Sequence, residues 1–148
     1  MRASLKQKCV MTSNLKAGDV VSYPYLWRRE ADKGETEGRK SRPVVVVVPL
    51  DMNGKTYLYL LAITSRGVSG DQAGVKIPAL EMRRIGLSSA KPGWVIVSEH
   101  NRDIVGESYH LSPDAVPLGR FSSRFENVIL KAAAAHLRRP AALVVRSP

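Results

Sequence analysis

Short apolar segments separated by turn residues run through the first two thirds of this chain, a pattern typical of strands. The segment 20–25 has strand composition and follows the Gly18-Asp19 turn signal. In the segment 42–48, Arg42 and Pro43 lead into five consecutive valines. Valine has a branched Cβ that fits a pleated surface. The valine run therefore predicts a strand with both faces covered.

Three further strands are predicted downstream, at 56–65, 75–80 and 91–103. Asn53-Gly54 separates the second strand from the third and predicts a hairpin. The segment 81–87 predicts one helical or irregular turn. Residues 28–41 are charged and nearly free of apolar side chains, which predicts a long mobile loop.

The pattern changes to helical spacing near residue 122 and predicts a helix over 122–137. Ser122 or Ser123 can cap its start, and Pro140 stops it. The residues of one predicted apolar face are Phe125, Val128, Ile129, Ala132 and Ala133.

Strands that turn back this often, followed by one packed helix, predict a mainly β fold built as a small antiparallel barrel. The predicted barrel domain spans residues 15–139. Residues 1–14 are expected to be an N-terminal extension, and residues 140–148 a C-terminal tail. A length of 148 residues with 44% hydrophobic composition suits one such domain with a real core.

Composition excludes several classes of protein. No apolar run approaches the roughly 20 residues that a membrane-spanning helix needs, and the N-terminus lacks the apolar core of a signal peptide, so a cytoplasmic location is expected. Cys9 is the single cysteine, which rules out an internal disulfide and a cysteine-built zinc site. The net charge of +10 favours a polyanionic partner, either nucleic acid or an acidic protein.

Candidate chemistry lies where the predicted strands end. The clusters are Arg42, then Thr64 and Ser65, then the polar group 98–103 that contains Glu99. Each has an ordinary alternative: Arg42 as an edge charge, Thr64-Ser65 as the start of a turn, and Glu99 with Arg102 as an ion pair. The three histidines have no metal-ligand spacing, so we expect no metal and no cofactor.

The order of these elements resembles the MazF/PemK family of bacterial toxin–antitoxin endoribonucleases. That family has a "GDVV" first strand, then a charged loop, then "RP" before a valine-rich strand. A strand ending in "TS" follows, and the last motif is an acidic residue followed by "xxR". Here these elements are Gly18 to Val21, Arg42-Pro43, Thr64-Ser65 and Glu99 to Arg102. The resemblance covers roughly residues 15–135.

The resemblance implies an SH3-like barrel of the CcdB/PemK/MazF type that forms a homodimer. It implies cleavage of single-stranded RNA, often mRNA, without a metal, and control by a cognate acidic antitoxin that covers the RNA groove and shares DNA binding with the toxin. The implied catalytic residues are Arg42, Thr64, Ser65 and Glu99. The candidate RNA-binding residues are Arg28, Arg39, Lys40, Arg66, His100 and Arg102, with Trp27 as either a stacking platform or a core residue.

Cleavage of RNA without a metal starts with attack by the ribose 2′-OH, which leaves a 2′,3′-cyclic phosphate. Glu99 matches the family position proposed as the base, and Arg42 can donate a forked pair of hydrogen bonds to the phosphate. Some relatives place an arginine, proposed as the acid, where this chain has Val97. Arg42 or His100 is then the alternative acid.

Two other functions fit the same sequence. A CcdB-like barrel would inhibit a protein target such as DNA gyrase, and would need no cluster of Arg42, Thr64 and Glu99. A catalytically inactive member would bind RNA or antitoxin only.

Overall fold

Antiparallel strands followed by a C-terminal helix make up most of the described part of the chain, as the hydrophobic pattern predicts. The computed structural model describes residues 15–34, 40–107, 111, 114–139 and 142–144. The strands are β1 (Asp19–Tyr23), β2 (Arg42–Met52), β3 (Lys55–Thr64), β4 (Gly74–Lys76), β5 (Trp94–Ile96), β6 (Asn101–Ile104) and β7 (Gly119–Arg120). The helices are α1 (Arg28–Ala31), α2 (Ala79–Arg84) and α3 (Ser123–Leu137).

The strands form one sheet in the order β4-β5-β3-β2-β1-β7, and β6 also pairs with β3. All of these pairings are antiparallel. The hairpin between β2 and β3 turns at Asn53 and Gly54, whose φ angles are 53° and 76°. Positive φ at both central residues is what a type I′ turn requires, so the predicted hairpin is confirmed.

The valine run is covered on both faces, which confirms the prediction from composition. Val44 to Val47 are each at most 3% exposed. Val45 and Val47 face a core closed by α3, through Phe125 and Ile129. Val44 and Val46 face a second core, whose aromatic members are Tyr23, Tyr25 and Trp27. The sheet thus separates two cores, and β2 contributes to each.

The segment 91–103 was predicted as one strand and is two. β5 pairs with Ile63 and Thr64 at one end of β3, and β6 pairs with residues 57–60 farther along the same edge. The polar residues between them bind other parts of the chain. Ser98 Oγ accepts the amide of Ala73, and the Glu99 carboxylate accepts the amide of Arg28. Because Ser98 and Glu99 bind these other segments, they do not pair with β3 and they separate β5 from β6.

Two other predicted boundaries also differ. The predicted loop 28–41 begins with the helical turn α1, and part of that loop, residues 35–39, lies outside the described residues. The predicted strand 75–80 ends at Lys76, because α2 begins at Ala79. Within 81–87 a helical turn is confirmed.

The C-terminal helix is confirmed with one error on its apolar face. Ser122 caps it, since its Oγ accepts the amide of Phe125 at 3.2 Å. Phe125, Ile129 and Ala133 are buried, whereas Val128 is 45% exposed and does not belong to the buried face.

Residues 142–144 return to the sheet. The amide of His100 donates to the carbonyl of Ala142, and the amide of Val144 donates to the carbonyl of His100. The whole predicted extension 1–14 lies outside the described residues, as do residues 140–141 and 145–148 of the predicted tail. Within the described part of the chain, no helix has the length and apolar character needed to cross a membrane.

We expect Leu60→Ala to lower the free energy of unfolding by about 2–5 kcal/mol, because Leu60 is 0% exposed in β3 and its removal leaves a cavity. Leu80→Ala in α2 is the matched control, since Leu80 is 67% exposed. Guanidinium unfolding of both variants measures the difference. Equal losses for the two leucines would contradict the described core.

Candidate functional site

An open cleft of about 800 Å³ lies where β2 begins and β3 ends. Its lining includes five of the residues singled out from the sequence: Lys40, Arg42, Thr64, Ser65 and Arg66. The pairing of β2 with β3 brings them together, because Val44 lies opposite Ala62 in the ladder. Two residues farther along, Arg42 is the first residue of β2 and Thr64 is the last residue of β3, so both lie at the same end of the strand pair.

The cleft is strongly cationic. Arg29, Lys40, Arg42, Arg66 and Lys91 all line it, and Glu30 is the acidic residue among its lining side chains. Five cations against one anion in one concave surface attract anionic ligands. Arg29, on α1, and Lys91, in the loop before β5, were missed because only the fold brings these segments to the strand ends.

Arg42 is half-buried. Its guanidinium carbon lies 5.1 Å from the centre of the Trp27 ring, a cation–π contact. Among the described residues, its Nε has no hydrogen-bond partner. Burial lowers the pKa of the guanidinium, and the charges of Arg29 and Arg66 lower it further, against the opposing effect of Glu30. The charge is therefore only partly compensated and is well placed to meet an anion.

Trp27 is a core residue rather than an exposed stacking platform, at 3% exposure. The guanidinium carbon of Arg29 lies 4.7 Å from the centre of the Trp27 ring, which Arg42 also contacts. Trp27 also packs edge-on against Tyr25, with ring centres 5.0 Å apart. The indole thus holds two cleft arginines and one cleft tyrosine in place.

Thr64 and Ser65 differ in how far they are free to act. Thr64 is 8% exposed, and its Oγ1 accepts the amide of Arg66 at 3.1 Å. This bond begins a turn, as the ordinary interpretation of the pair expects. Ser65 is exposed on the cleft wall. Both hydroxyls are at the cleft, and that of Thr64 can still donate.

Glu99 lies behind the cleft rather than on its wall. It is 7% exposed, and its Oε1 accepts the amide of Arg28 at 2.9 Å and the hydroxyl of Tyr25 at 3.2 Å. Burial raises the pKa of this carboxyl, although the two hydrogen bonds and the charge of Arg28 oppose the rise. Tyr25, unlike Glu99, lines the cleft.

The remaining candidates for RNA binding are dispersed. The side chain of Arg28 donates to the carbonyl of Leu143 at 3.1 Å. Arg102 is exposed on β6, with its guanidinium 5.6 Å from the centre of the Tyr57 ring. Neither lines the cleft. Arg39 lies outside the described residues.

His100 is 2% exposed and packs against Tyr59, with ring centres 5.5 Å apart. His100 does not line the cleft, so its ring is not placed to contact RNA bound there. Burial lowers its pKa to about 4, assisted by the charges of Arg102 and Arg28. The imidazole is therefore neutral at pH 7, and its remaining N–H is too weak an acid to protonate a leaving oxygen.

Asn101 is a structural residue that the sequence did not single out. It is 0% exposed, and its amide group bonds both the amide and the carbonyl of Leu26, at 2.8 and 2.9 Å. It thereby fixes the segment that carries Tyr25 and Trp27. Polar character alone gave no sign of this pairing across 75 residues.

Within the described ranges, no group of three or more His, Cys, Asp or Glu side chains is arranged to hold a metal ion. Most polar side chains of the cleft are cations and hydroxyls, which suit a phosphate ligand.

We expect His100 to titrate near pH 4 by NMR, because its folded pKa is about 4 against an ordinary value of 6.5. Since the unfolded chain takes up this proton first, the imidazole lowers the free energy of unfolding as pH falls from about 6.5 toward 4, by on the order of 2–3 kcal/mol. Glu99 acts in the opposite direction, so the test compares the wild type with His100→Gln. The variant should lose less stability between pH 7 and pH 4.5. An imidazole signal that titrates near 6.5 would contradict the burial.

Comparison of this chain with protein-family models, with curated proteins and with solved structures found no match. The resemblance to MazF/PemK toxins stays an expectation from the sequence motifs. A functional proposal for this chain therefore rests on the side chains of the cleft, their distances and their charges.

Proposed function

We propose that this protein is a toxin of a toxin–antitoxin pair and cleaves single-stranded RNA as a metal-independent endoribonuclease. The observation that carries the proposal is the cleft, which Arg42 lines together with Thr64, Ser65 and four further cationic side chains. This set comes from two of the four motifs on which the family resemblance rests, Arg42-Pro43 and Thr64-Ser65. The charge of +10 suits an RNA partner.

Arg42 is the group best placed to bind the scissile phosphate. Its Nε lacks a partner among the described residues, and a guanidinium can bind two phosphate oxygens at once. Thr64 and Ser65 can each donate one more hydrogen bond. Such donors stabilise the charge that builds on the phosphate when the 2′-oxygen attacks.

The other cleft cations hold the RNA backbone. Arg29, Lys40, Arg66 and Lys91 surround the proposed phosphate site. They attract successive phosphates without reading their bases. The 2′-OH attack confines cleavage to RNA and leaves a 2′,3′-cyclic phosphate. Val97 is buried and apolar, so the proton for the leaving oxygen comes from another group.

The same proposal includes partners and assembly. In this proposal the sheet closes into an SH3-like barrel, and the protein is a cytoplasmic homodimer. An acidic antitoxin segment would cover the cationic cleft and block RNA, because its carboxylates can take the place of phosphates.

We expect Arg42→Ala to slow single-turnover cleavage of RNA in the presence of EDTA by about 10²- to 10³-fold, because it removes a donor to the charged phosphate. Arg124→Ala is the control, since Arg124 is an exposed arginine on α3 that does not line the cleft. Thermal unfolding checks that both variants fold.

Equal cleavage rates for these two variants would contradict the assignment of Arg42. Wild-type protein that binds RNA and leaves it intact would show a binding module instead of a nuclease.

We expect the affinity for single-stranded RNA to fall steeply with salt. Each phosphate contact contributes about 0.7 to the slope of log K against log salt. Arg66→Ala and Lys91→Ala should each reduce the slope by about that amount. Lys131→Ala, on the exposed side of α3, should leave it unchanged. Fluorescence anisotropy at several salt concentrations measures the slopes. If neither cleft variant changes the slope, RNA binds at a surface other than the cleft.

A further inference from the structure

The proposed base and the cleft are separated by one side chain. The Glu99 carboxylate is 7% exposed and does not line the cleft. A base must come within hydrogen-bond reach of the proton that it takes, directly or through one intermediary. Glu99 therefore needs a group that contacts both its carboxylate and the cleft.

Tyr25 is that group. It lines the cleft, and its hydroxyl donates to Glu99 Oε1 at 3.2 Å. The ring is 1% exposed and is fixed by its edge-on contact with Trp27. Asn101 holds the adjoining backbone through both bonds to Leu26. The phenol is thus fixed in position.

We propose that Tyr25 carries the proton from the ribose 2′-OH to Glu99, an inference that rests on the proposed ribonuclease function. The phenolic oxygen accepts the 2′-OH proton while the Tyr25 proton passes to the carboxylate. The 2′-oxygen forms its bond to phosphorus as the bond from phosphorus to the 5′-oxygen breaks, and the 5′-oxygen leaves with the bonding electron pair and takes a proton from solvent water. Tyr25 ends as a phenol and Glu99 as a carboxylic acid, so the protons and charges balance.

The local charges suit this transfer. Burial and the negative charge of Glu99 raise the pKa of Tyr25 well above its usual value, so the phenol keeps its proton at neutral pH. Burial also raises the pKa of Glu99, which makes its carboxylate a stronger base. Among the described residues, the other charged or titratable groups that interact with the pair include Arg28, Arg29, Tyr23 and Arg42.

The chain offers a matched second tyrosine. Tyr23 is also 0% exposed, and its hydroxyl also donates to a buried carboxylate, that of Asp103, at 2.7 Å. Tyr23 and Asp103 do not line the cleft. A variant at Tyr23 therefore reproduces the loss of a buried tyrosine–carboxylate bond and leaves both groups of the proposed relay in place.

The experiment measures single-turnover cleavage of RNA by wild type, Tyr25→Phe, Tyr23→Phe, Glu99→Gln and the double variant Tyr25→Phe/Glu99→Gln. Phenylalanine keeps the ring, and glutamine can keep both hydrogen bonds through its Oε1. We expect Tyr25→Phe to lose about 10²- to 10³-fold and Tyr23→Phe to lose less than threefold. The double variant should be no slower than the slower of its two single variants, because one relay is broken in each.

The dependence of the rate on pH separates a relay from a structural role. The wild-type rate should fall as pH drops through the raised pKa of Glu99, because the relay needs the carboxylate. In Tyr25→Phe this fall should disappear, whereas Tyr23→Phe should keep it. RNA affinity and thermal unfolding confirm that Tyr25→Phe folds and binds.

The outcomes are distinct. If wild type cleaves and Tyr25→Phe cleaves within threefold of it, the relay is overturned and the proposed function stands. Losses that multiply in the double variant also overturn the relay, because Tyr25 and Glu99 would then act separately. If folded wild type leaves RNA intact, the proposed function fails and the relay fails with it.

Discussion

The burial of β2 on both faces is the constraint on which the rest of the structure depends. Four consecutive valines with almost no exposure need a cover above and below the sheet. Helix α3 supplies one cover, and the aromatic segment after β1 supplies the other. The strand is therefore held in place from both faces, and this fixes the position of the side chain at its start. Arg42 occupies that position, and its placement at the cleft follows from the packing of its own strand.

Buried polar groups hold the second cover in place. Glu99, Asn101 and Asp103 are each at most 9% exposed, and each bonds a residue between positions 23 and 28. A buried polar group left without a partner costs free energy, so these bonds must form together when the segments meet. They select one arrangement of β6 against the segment before α1. The same bonds set the positions of Tyr25 in the cleft wall and of Glu99 behind it.

The sequence predicted the elements whose signals are local. Asn53-Gly54 specifies its hairpin by backbone conformation, and the valine run and the C-terminal helix carry their own hydrophobic pattern. The division of 91–103 into two strands could not be predicted, because it depends on Ser98 and Glu99 bonding distant amides. Of the candidate site, Arg42, Thr64 and Ser65 were placed together by strand pairing. The inward orientation of Glu99 and of His100 depends on partners 40 or more residues away.

The hairpin between β2 and β3 has a practical consequence. β2 has 11 residues, which at roughly 3.3 Å per residue gives a strand about 35 Å long. Arg42 stands at one end and the Asn53-Gly54 turn at the other, where residues 51–55 are all exposed. Met52, next to the turn, is 43% exposed and offers an attachment point that leaves Gly54, with its φ of 76°, unchanged. A fluorophore, an affinity tag or a surface tether attached at this turn would report on the protein from the far end of its longest strand, with the cleft left open to solvent.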